Sequence, residues 1–297
     1  MTLNPNAQVD TGQVQDAGRG SGRGLGGIPI PINGGGGVVG LIVLALLVVG
    51  GLVGGNQIFG GDEGGGGGDV SCPAGSVADP NNVKCRNALY VNSIQNYWQA
   101  ALPQSFGTQY TPADTVFFDQ SVNTGCGAAD SGVGPFYCPQ DDLVYIDVSF
   151  WNELSTRFGA DGAFAQPYVL AHEYGHHVQD LIGTEAEVRR QMERDPNNAN
   201  QLSVALELQA DCYAGVWSKH ATQTTDANGQ PIFTSLTQND VNQALEAAAA
   251  VGDDAIQKKM GGPVDESKFT HGSSAQRQQW FNTGFSSGDP KSCNTFG

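Results

Sequence analysis

The sequence predicts an α+β fold with a small sheet, in a single domain that one membrane-spanning helix precedes. Three observations over the 297 residues predict this arrangement. Glycine is concentrated near the N-terminus, where residues 1–70 hold 23 of the 42 glycines, and an uninterrupted apolar run lies inside that part. After residue 70, short β-rich segments are followed by longer segments with helical periodicity, an order typical of α+β proteins.

The glycine-rich N-terminal part has no hydrophobic period over residues 1–37. A chain of this composition cannot bury enough apolar surface to fold, so we expect a disordered tail there. Residues 38–53 are sixteen consecutive residues without a charged or hydrogen-bonding side chain, and the uncharged stretch with its flanking glycines covers 34–55. About 20 such residues cross a bilayer as a helix, so we predict a transmembrane helix at 38–55.

Two other interpretations of the apolar run are a buried core helix and the apolar part of a cleaved signal peptide. Five consecutive glycines at 64–68 disfavour the core helix, and no small-residue cleavage site follows the run. We interpret residues 56–70 as a glycine-rich linker and residues 71–297 as the folded domain.

The charges that flank the predicted span indicate its orientation. Arg19 and Arg23 precede it, whereas no Lys or Arg follows it before Lys84. The positive-inside rule then predicts a single-pass protein of the cell membrane, with a cytoplasmic tail and an extracytoplasmic domain.

The charge balance excludes one class of partner. The chain has 14 Lys and Arg against 30 Asp and Glu, a formal net charge of −16. Binding to a phosphate backbone depends on basic surface that releases counterions, so we predict no interaction with nucleic acid.

All six cysteines follow the predicted span, and none forms a C-x-x-C pair. On the extracytoplasmic side this favours disulfides over a zinc knuckle, with buried free thiols as the alternative. Six cysteines allow fifteen pairings. Closure of short loops favours Cys72–Cys85 and Cys126–Cys138, which leaves Cys212 to pair with Cys293.

The domain contains predicted strands and helices. β-rich composition predicts two strands, at 115–118 and 143–148. Pro167 stands early in one apolar-periodic segment, where proline is tolerated, and Gly183 follows its end. Apolar residues at helical spacing predict five helices, at 87–102, 165–182, 202–220, 240–251 and 274–285.

The second of these helices in chain order, at 165–182, carries an H-E-x-x-H sequence, with His172, Glu173 and His176. Four helical residues turn through about 400°, so the two histidines lie one above the other and can bind one zinc ion (Zn²⁺). Glu173 lies about 100° around the helix, where it can act as general base toward a water at the metal. The alternative is a pair of helix-surface histidines with an incidental glutamate.

A catalytic zinc site needs a third protein ligand. An extended motif with a third histidine on the same segment is excluded, because Gln179 and Ile182 occupy the required glycine and histidine positions. Glu207 and Asp211 share one face of the next predicted helix. We expect Glu207 to bind the metal and Asp211 to accept the second ring N–H of a ligand histidine. An exposed acidic face is the alternative, although this helix is apolar nearly all round.

Four segments together resemble the bacterial neutral zinc metallopeptidase family (YpfJ-like). They are G-P-F-Y-C-P-Q-D-D-L-V-Y-I-D at 134–147, H-E-Y-G-H-H-V-Q-D at 172–180, E-L-Q-A-D-C-Y-A-G-V-W at 207–217 and H-G-S-S-A-Q-R-Q-Q-W-F-N-T-G-F at 271–285. The resemblance covers about 71–297. It implies a zincin-like domain with active-site helices, zinc on His172, His176 and Glu207, and Glu173 as catalytic acid and base.

His271 is the candidate for a second catalytic residue. It stands in a turn before the last predicted helix, from which it can present a donor to a developing oxyanion. Arg277, about one turn into that helix, is the competing donor, and a His271 that merely fixes the turn is the remaining alternative.

A functional role has less support for the other polar residues. We expect His177 and Tyr174 to be structural, and His220 to be a favourable cation at a helix C-terminus. The segments at 135–138 and 144–147 form either a sheet edge to which an extended peptide adds as a strand or an ordinary hairpin.

The sequence therefore predicts a membrane-anchored zinc peptidase that hydrolyses peptides or proteins outside the cytoplasm. The alternative is a non-catalytic envelope binding protein in which zinc is structural or absent.

Overall fold

The computed structural model describes residues 1–19 and 68–296. Within these residues the chain forms eight short strands and eight α-helices. The strands are β1 (Thr2–Leu3), β2 (Val14–Arg19), β3 (Thr115–Asp119), β4 (Ser121–Thr124), β5 (Gly127–Asp130), β6 (Phe136–Cys138), β7 (Leu143–Asp147) and β8 (Phe233–Ser235). The helices are α1 (Val83–Phe106), α2 (Phe150–Thr156), α3 (Ala165–Leu181), α4 (Thr184–Arg194), α5 (Ala199–His220), α6 (Gln238–Ala250), α7 (Asp253–Lys259) and α8 (Ser274–Ser287).

The main sheet has four strands in the order β2-β3-β7-β6. β2, β3 and β7 run parallel, whereas β6 is antiparallel to β7 and forms an edge of the sheet. Four of the five residues in β3 and in β7 are buried, as expected for parallel strands covered on both faces. Two antiparallel pairs, β1 with β8 and β4 with β5, complete the strand pairing. The predicted α+β class is confirmed.

The N-terminal segment belongs to this fold. β2 pairs in parallel with β3, and β1 pairs with β8. The Asp10 N–H donates to Asn92 of α1 at 2.9 Å, and the Asn92 amide donates back to the Asp10 carbonyl at 2.9 Å. The prediction of a disordered tail is therefore wrong for residues 1–19, whereas 20–37 lie outside the described residues. The six residues of β2 include only two apolar ones, so the hydrogen bonds that order them come from a strand about 100 residues away.

The predicted transmembrane helix at 38–55 and the linker residues 56–67 also lie outside the described residues. No helix within 1–19 and 68–296 is long and apolar enough to cross a membrane. The chain returns next to β2, where the Gly68 N–H donates to the Asp16 carbonyl at 3.1 Å. A helix that crossed a membrane once between residues 19 and 68 would place these two packed parts on opposite sides. The cytoplasmic tail, the single crossing and the extracytoplasmic domain stay predictions from the sequence.

Close contacts between helices bring the elements of the site together. A Cβ atom on Gly175 of α3 would lie 2.9 Å from the Cα of Ala210 in α5. A Cβ atom on Gly284 of α8 would lie 1.9 Å from the carbonyl oxygen of Cys212, also in α5. Only glycine permits this approach of α3 and α8 to α5, which therefore occupies the centre of the helical layer.

The five predicted helices are confirmed as α1, α3, α5, α6 and α8, with ends that differ by up to four residues. The sequence analysis missed the short helices α2, α4 and α7. The three predicted disulfides, Cys72–Cys85, Cys126–Cys138 and Cys212–Cys293, are all present. The last of them ties α5 to the C-terminal segment.

Candidate metal centre

Three side chains that can bind a metal converge between α3 and α5. The Nε2 atom of His172 lies 3.1 Å from Glu207 Oε2, and the Nε2 atom of His176 lies 3.5 Å from Glu207 Oε1. The ligand atoms of the three residues all lie within 4.8 Å of one another. In the described part of the chain, this is the one such group of three or more His, Cys, Asp or Glu side chains. The structure thus brings together the three ligands predicted from spacing.

The second nitrogen of each ligand histidine has its own partner. His172 Nδ1 lies 2.9 Å from Asp211 Oδ1, and His176 Nδ1 lies 2.9 Å from Gln179 Oε1. A partner that accepts from Nδ1–H fixes the tautomer with a free lone pair on Nε2. Both imidazoles are therefore oriented to bind a metal through Nε2.

Gln179 is a positioning residue that the sequence analysis missed. Its amide nitrogen donates to the Leu206 carbonyl at 2.7 Å and to Gln209 Oε1 at 3.1 Å, which aims its oxygen at His176. The signal was present, since Gln179 lies three residues after His176 on the same helix.

Asp211 occupies the predicted position behind His172. It accepts hydrogen bonds from the Tyr168 hydroxyl at 2.6 Å and from Arg277 Nε and Nη2 at 2.7 and 3.0 Å. Burial alone would raise the pKa of Asp211, but the charge of Arg277 and the hydrogen bonds from His172 and Arg277 lower it to about 2. Asp211 is thus an anion that holds His172. Arg277, the competing oxyanion donor, is already engaged with Asp211.

Glu173 lies beside the three ligands and is not one of them. Its Oε2 accepts the backbone N–H of Tyr137, in the edge strand β6, at 3.1 Å. Burial raises the pKa of Glu173 to about 7, against the opposing effect of His172. This carboxyl group therefore has the position and the proton affinity of a general base or acid near neutral pH.

His271 lines the same cavity as the three ligands. Its Nδ1 lies 3.0 Å from Thr270 Oγ1 and 3.4 Å from Asp253 Oδ1. The other oxygen of Asp253 accepts the backbone N–H groups of Thr270, His271 and Gly272 at 2.7, 2.7 and 2.9 Å. Asp253, at the start of α7, therefore fixes both the loop and the ring. Sequence analysis did not single out this residue.

Three other polar residues are engaged away from the metal ligands. His177 lies with Nδ1 3.1 Å from the Tyr137 hydroxyl and Nε2 2.7 Å from the Thr111 carbonyl. The Tyr174 hydroxyl donates to the Ala113 carbonyl at 2.8 Å, and His220 Nε2 lies 3.0 Å from the Gly288 carbonyl. These contacts agree with the structural roles expected from the sequence.

The donor set fits zinc. Two imidazoles with free Nε2 lone pairs and one carboxylate are ligands that zinc prefers, and three protein ligands leave the fourth position of a tetrahedral site open. Glu207 is a buried, negatively charged carboxylate that lies within 3.5 Å of the Nε2 atoms of both histidines. A divalent cation would compensate that charge.

An H-E-x-x-H helix with a carboxylate from a second helix is typical of zinc metallopeptidases. Comparison with known proteins gives the same class. The sequence profile of the family described as "Putative neutral zinc metallopeptidase" matches residues 5–296, and the chain belongs to that family. The resemblance seen in the sequence is thereby confirmed. The match includes β2, which the sequence analysis assigned to a tail.

Two relatives illustrate the similarity. "Uncharacterized protein YpfJ" of Escherichia coli (strain K12) is 48% identical over 196 residues, which cover 65% of each chain. An uncharacterized protein of Mycobacterium tuberculosis (strain ATCC 25618 / H37Rv) is 46% identical over 222 residues, or 74% of this chain and 73% of its own. No solved structure matches the chain.

Proposed function

We propose that this protein is a zinc-dependent peptidase in which His172, His176 and Glu207 hold the metal and Glu173 acts as general base. The observation that carries the proposal is the position of Glu173. It is buried beside the three ligands and is held by the Tyr137 N–H. A purely structural metal site does not need a base at this place.

The metal and the side chains of the site have separate roles in the proposed hydrolysis. Bound zinc supplies a Lewis acid that lowers the pKa of water towards about 7 and polarises a carbonyl group. Glu173 takes the proton of the attacking water and delivers it to the leaving amine. His271, oriented by Asp253, offers a ring N–H to the oxygen on which negative charge develops. Asp211 and Gln179 keep the two histidines in place.

The substrate we propose is a peptide or protein bound along β6. This strand is an edge of the main sheet, and residues 133–137 and 139 line the cavity that contains the metal ligands. An extended peptide can add to such an edge through main-chain hydrogen bonds. The segment at 144–147 cannot bind a peptide in this way, because it lies in β7, an inner strand between β3 and β6. The prediction that 144–147 forms a sheet edge is therefore wrong.

We infer that the protein works outside the cytoplasm. Three disulfides account for all six cysteines, and disulfides persist in oxidising compartments. Attachment to the membrane through 38–55 stays a prediction from the sequence.

The proposal is tested by measuring zinc content and peptide hydrolysis on the full chain. We expect wild type to bind one zinc ion and to cleave peptides, and Glu173→Gln to keep the zinc and lose about 10²–10⁴-fold in kcat, the usual contribution of a general base. Glu207→Ala should lose most of the zinc, because two histidines leave the ion under-coordinated. Zinc binding without hydrolysis of any peptide in a broad library by wild type would instead support a non-catalytic binding protein.

A further inference from the structure

Part of the lining of the cavity at the metal ligands is apolar, and we call this part the chamber. Five side chains form its walls: Phe150, Phe158, Val169, Val251 and Ile256. They come from α2 and the segment after it, from α3, from the residue after α6, and from α7. Four of the five are less than a tenth exposed, and Val251 is half-buried. Four of the five walls thus come from parts of the chain that supply no metal ligand, and only Val169 shares α3 with His172 and His176.

The chamber adjoins the place where a peptide bond would react. Val169 precedes His172 by three residues on α3, and residues at this spacing lie about 5–6 Å apart between Cβ atoms. A side chain that enters the chamber from a substrate held at the metal ligands therefore belongs to a residue that flanks the scissile bond.

Size and polarity restrict what the chamber accepts. The whole cavity holds about 220 Å³, and an apolar cavity of roughly 150 Å³ is sufficient for benzene. The polar groups next to the chamber, Arg277 and the Tyr168 hydroxyl, are already bonded to Asp211. A charged substrate side chain would lose its hydration there without gaining a partner, which is unfavourable.

The walls of the chamber are fixed before any ligand arrives. Lys259, at the end of α7, donates to the carbonyls of Arg157 and Phe158 at 3.2 Å each. Its Nζ also lies 4.8 Å from the centre of the Phe158 ring. These contacts tie the helix that carries Ile256 to the segment that carries Phe158.

We infer that the enzyme selects substrates with a large apolar side chain, that of Leu, Ile, Met or Phe, at one of the two residues flanking the scissile bond. This inference rests on the proposed function and specifies its substrate class. An apolar pocket discriminates by about 10–200-fold for small differences in side-chain size, so a measurable selectivity is expected.

A cleavage-site screen with zinc-loaded full-length protein tests the inference. Peptides that vary both flanking residues should be cleaved with kcat/KM at least about tenfold higher for Leu, Ile, Met or Phe than for Ala or Asp at one of the two positions. Ile256→Trp fills the chamber, so this preference should shift to Ala or Gly. Met260→Trp places the same ring one residue beyond α7, at a half-exposed position, and should leave the preference unchanged. Equal cleavage of apolar and small residues by wild type would overturn the inference.

Binding of amino-acid hydroxamates provides a readout that does not depend on turnover or on the folding of a variant. Calorimetry on zinc-loaded wild type should give a Kd at least about tenfold lower for phenylalanine and leucine hydroxamate than for alanine and aspartate hydroxamate. If this order holds while no peptide is cleaved, the proposed function fails and the chamber is supported. If peptides are cleaved but all four hydroxamates bind equally, the function is supported and the inference about the chamber is wrong.

Discussion

Each of the two ligand histidines depends on one residue that binds its second ring nitrogen. Asp211 serves His172, and Gln179 serves His176. The two partners differ in charge, because Asp211 is an anion neutralised by Arg277 whereas Gln179 is a neutral amide tied to α5. We therefore expect His172 to be the more strongly electron-donating ligand and His176 the one whose orientation is more easily disturbed.

The Gln179→Leu variant tests this orienting role. It removes the acceptor for His176 Nδ1 while keeping a buried side chain of similar size. We expect zinc affinity to fall by about 10–100-fold, as is usual when an outer partner of a ligand is lost. The measurement is competition with a chromophoric chelator. Gln95→Leu, which replaces another buried glutamine with several hydrogen bonds, is the matched control and should keep wild-type affinity. Unchanged affinity in Gln179→Leu would mean that α3 alone orients His176.

The His271→Ala variant tests the second catalytic residue. We expect kcat to fall by roughly 10²–10³, the usual cost of losing one oxyanion donor, with zinc content and melting temperature close to wild type. His220→Ala replaces a histidine at the end of α5, outside the cavity of the metal ligands, and should leave kcat unchanged. A His271→Ala variant with normal kcat, or one that loses its zinc, would show that the role is misassigned.

Among the elements, the start of α7 and the loop before α8 form one unit. Asp253 accepts three backbone N–H groups from residues 270–272, and Asp254 Oδ1 accepts the N–H and the hydroxyl of Ser274, each at 2.7 Å. Ser273 then caps α8 through a capping box with Gln276. Two adjacent carboxylates thus hold the loop that presents His271.

This unit predicts a dependence of stability on pH. Burial would raise the pKa of Asp253, but the hydrogen bond and charge of His271 and the backbone N–H groups lower it below its ordinary value of 3.8. Its contribution to the free energy of unfolding is therefore complete above pH 3.8 and is lost as the pH falls through the lowered pKa. Asp253→Asn should destabilise the protein by about 1.5–3 kcal/mol at neutral pH, as expected for hydrogen bonds to a charged group.

Urea unfolding at several pH values measures this difference. The gap between wild type and Asp253→Asn should close on acidification. Asp265→Asn removes a carboxylate from an exposed turn nearby and should have a much smaller effect at every pH. A gap that stays constant between pH 7 and pH 2 would contradict the ionic origin of the effect.

At the scale of the whole molecule, the two described parts of the chain form one packed body. β2 covers one edge of β3, and the region from Ala7 to Val14 contributes buried apolar side chains to the core. Removal of residues 2–19 would expose the backbone of β3 and the surface beneath it. The N-terminal strands therefore contribute to the stability of the domain that carries the site, although they do not line the cavity of the metal ligands.

Labelling of introduced cysteines tests this arrangement. Gln15→Cys and Lys258→Cys place one thiol on β2 and one on α7, both at exposed positions. In intact cells, a membrane-impermeant maleimide should label both variants, because β2 and α7 belong to one packed body. Labelling of Lys258→Cys alone would support the predicted single crossing and contradict the pairing of β2 with β3. Labelling of each variant in permeabilised cells is the control for the reactivity of its introduced thiol.

The sequence by itself determined the features that rest on short separations along the chain. The i, i+4 spacing of His172 and His176 predicts that they share a helix face, and the same rule relates Glu207 to Asp211. Helical periodicity located the long helices, and loop closure predicted the disulfides between nearby cysteines. The tertiary structure decided what depends on contacts between distant segments. It brought Tyr137 to Glu173, Asp253 to His271 and β2 to β3. Such partners leave no periodic signal in the sequence, because a single backbone N–H or carboxylate acquires its role only when packing places it within hydrogen-bond distance.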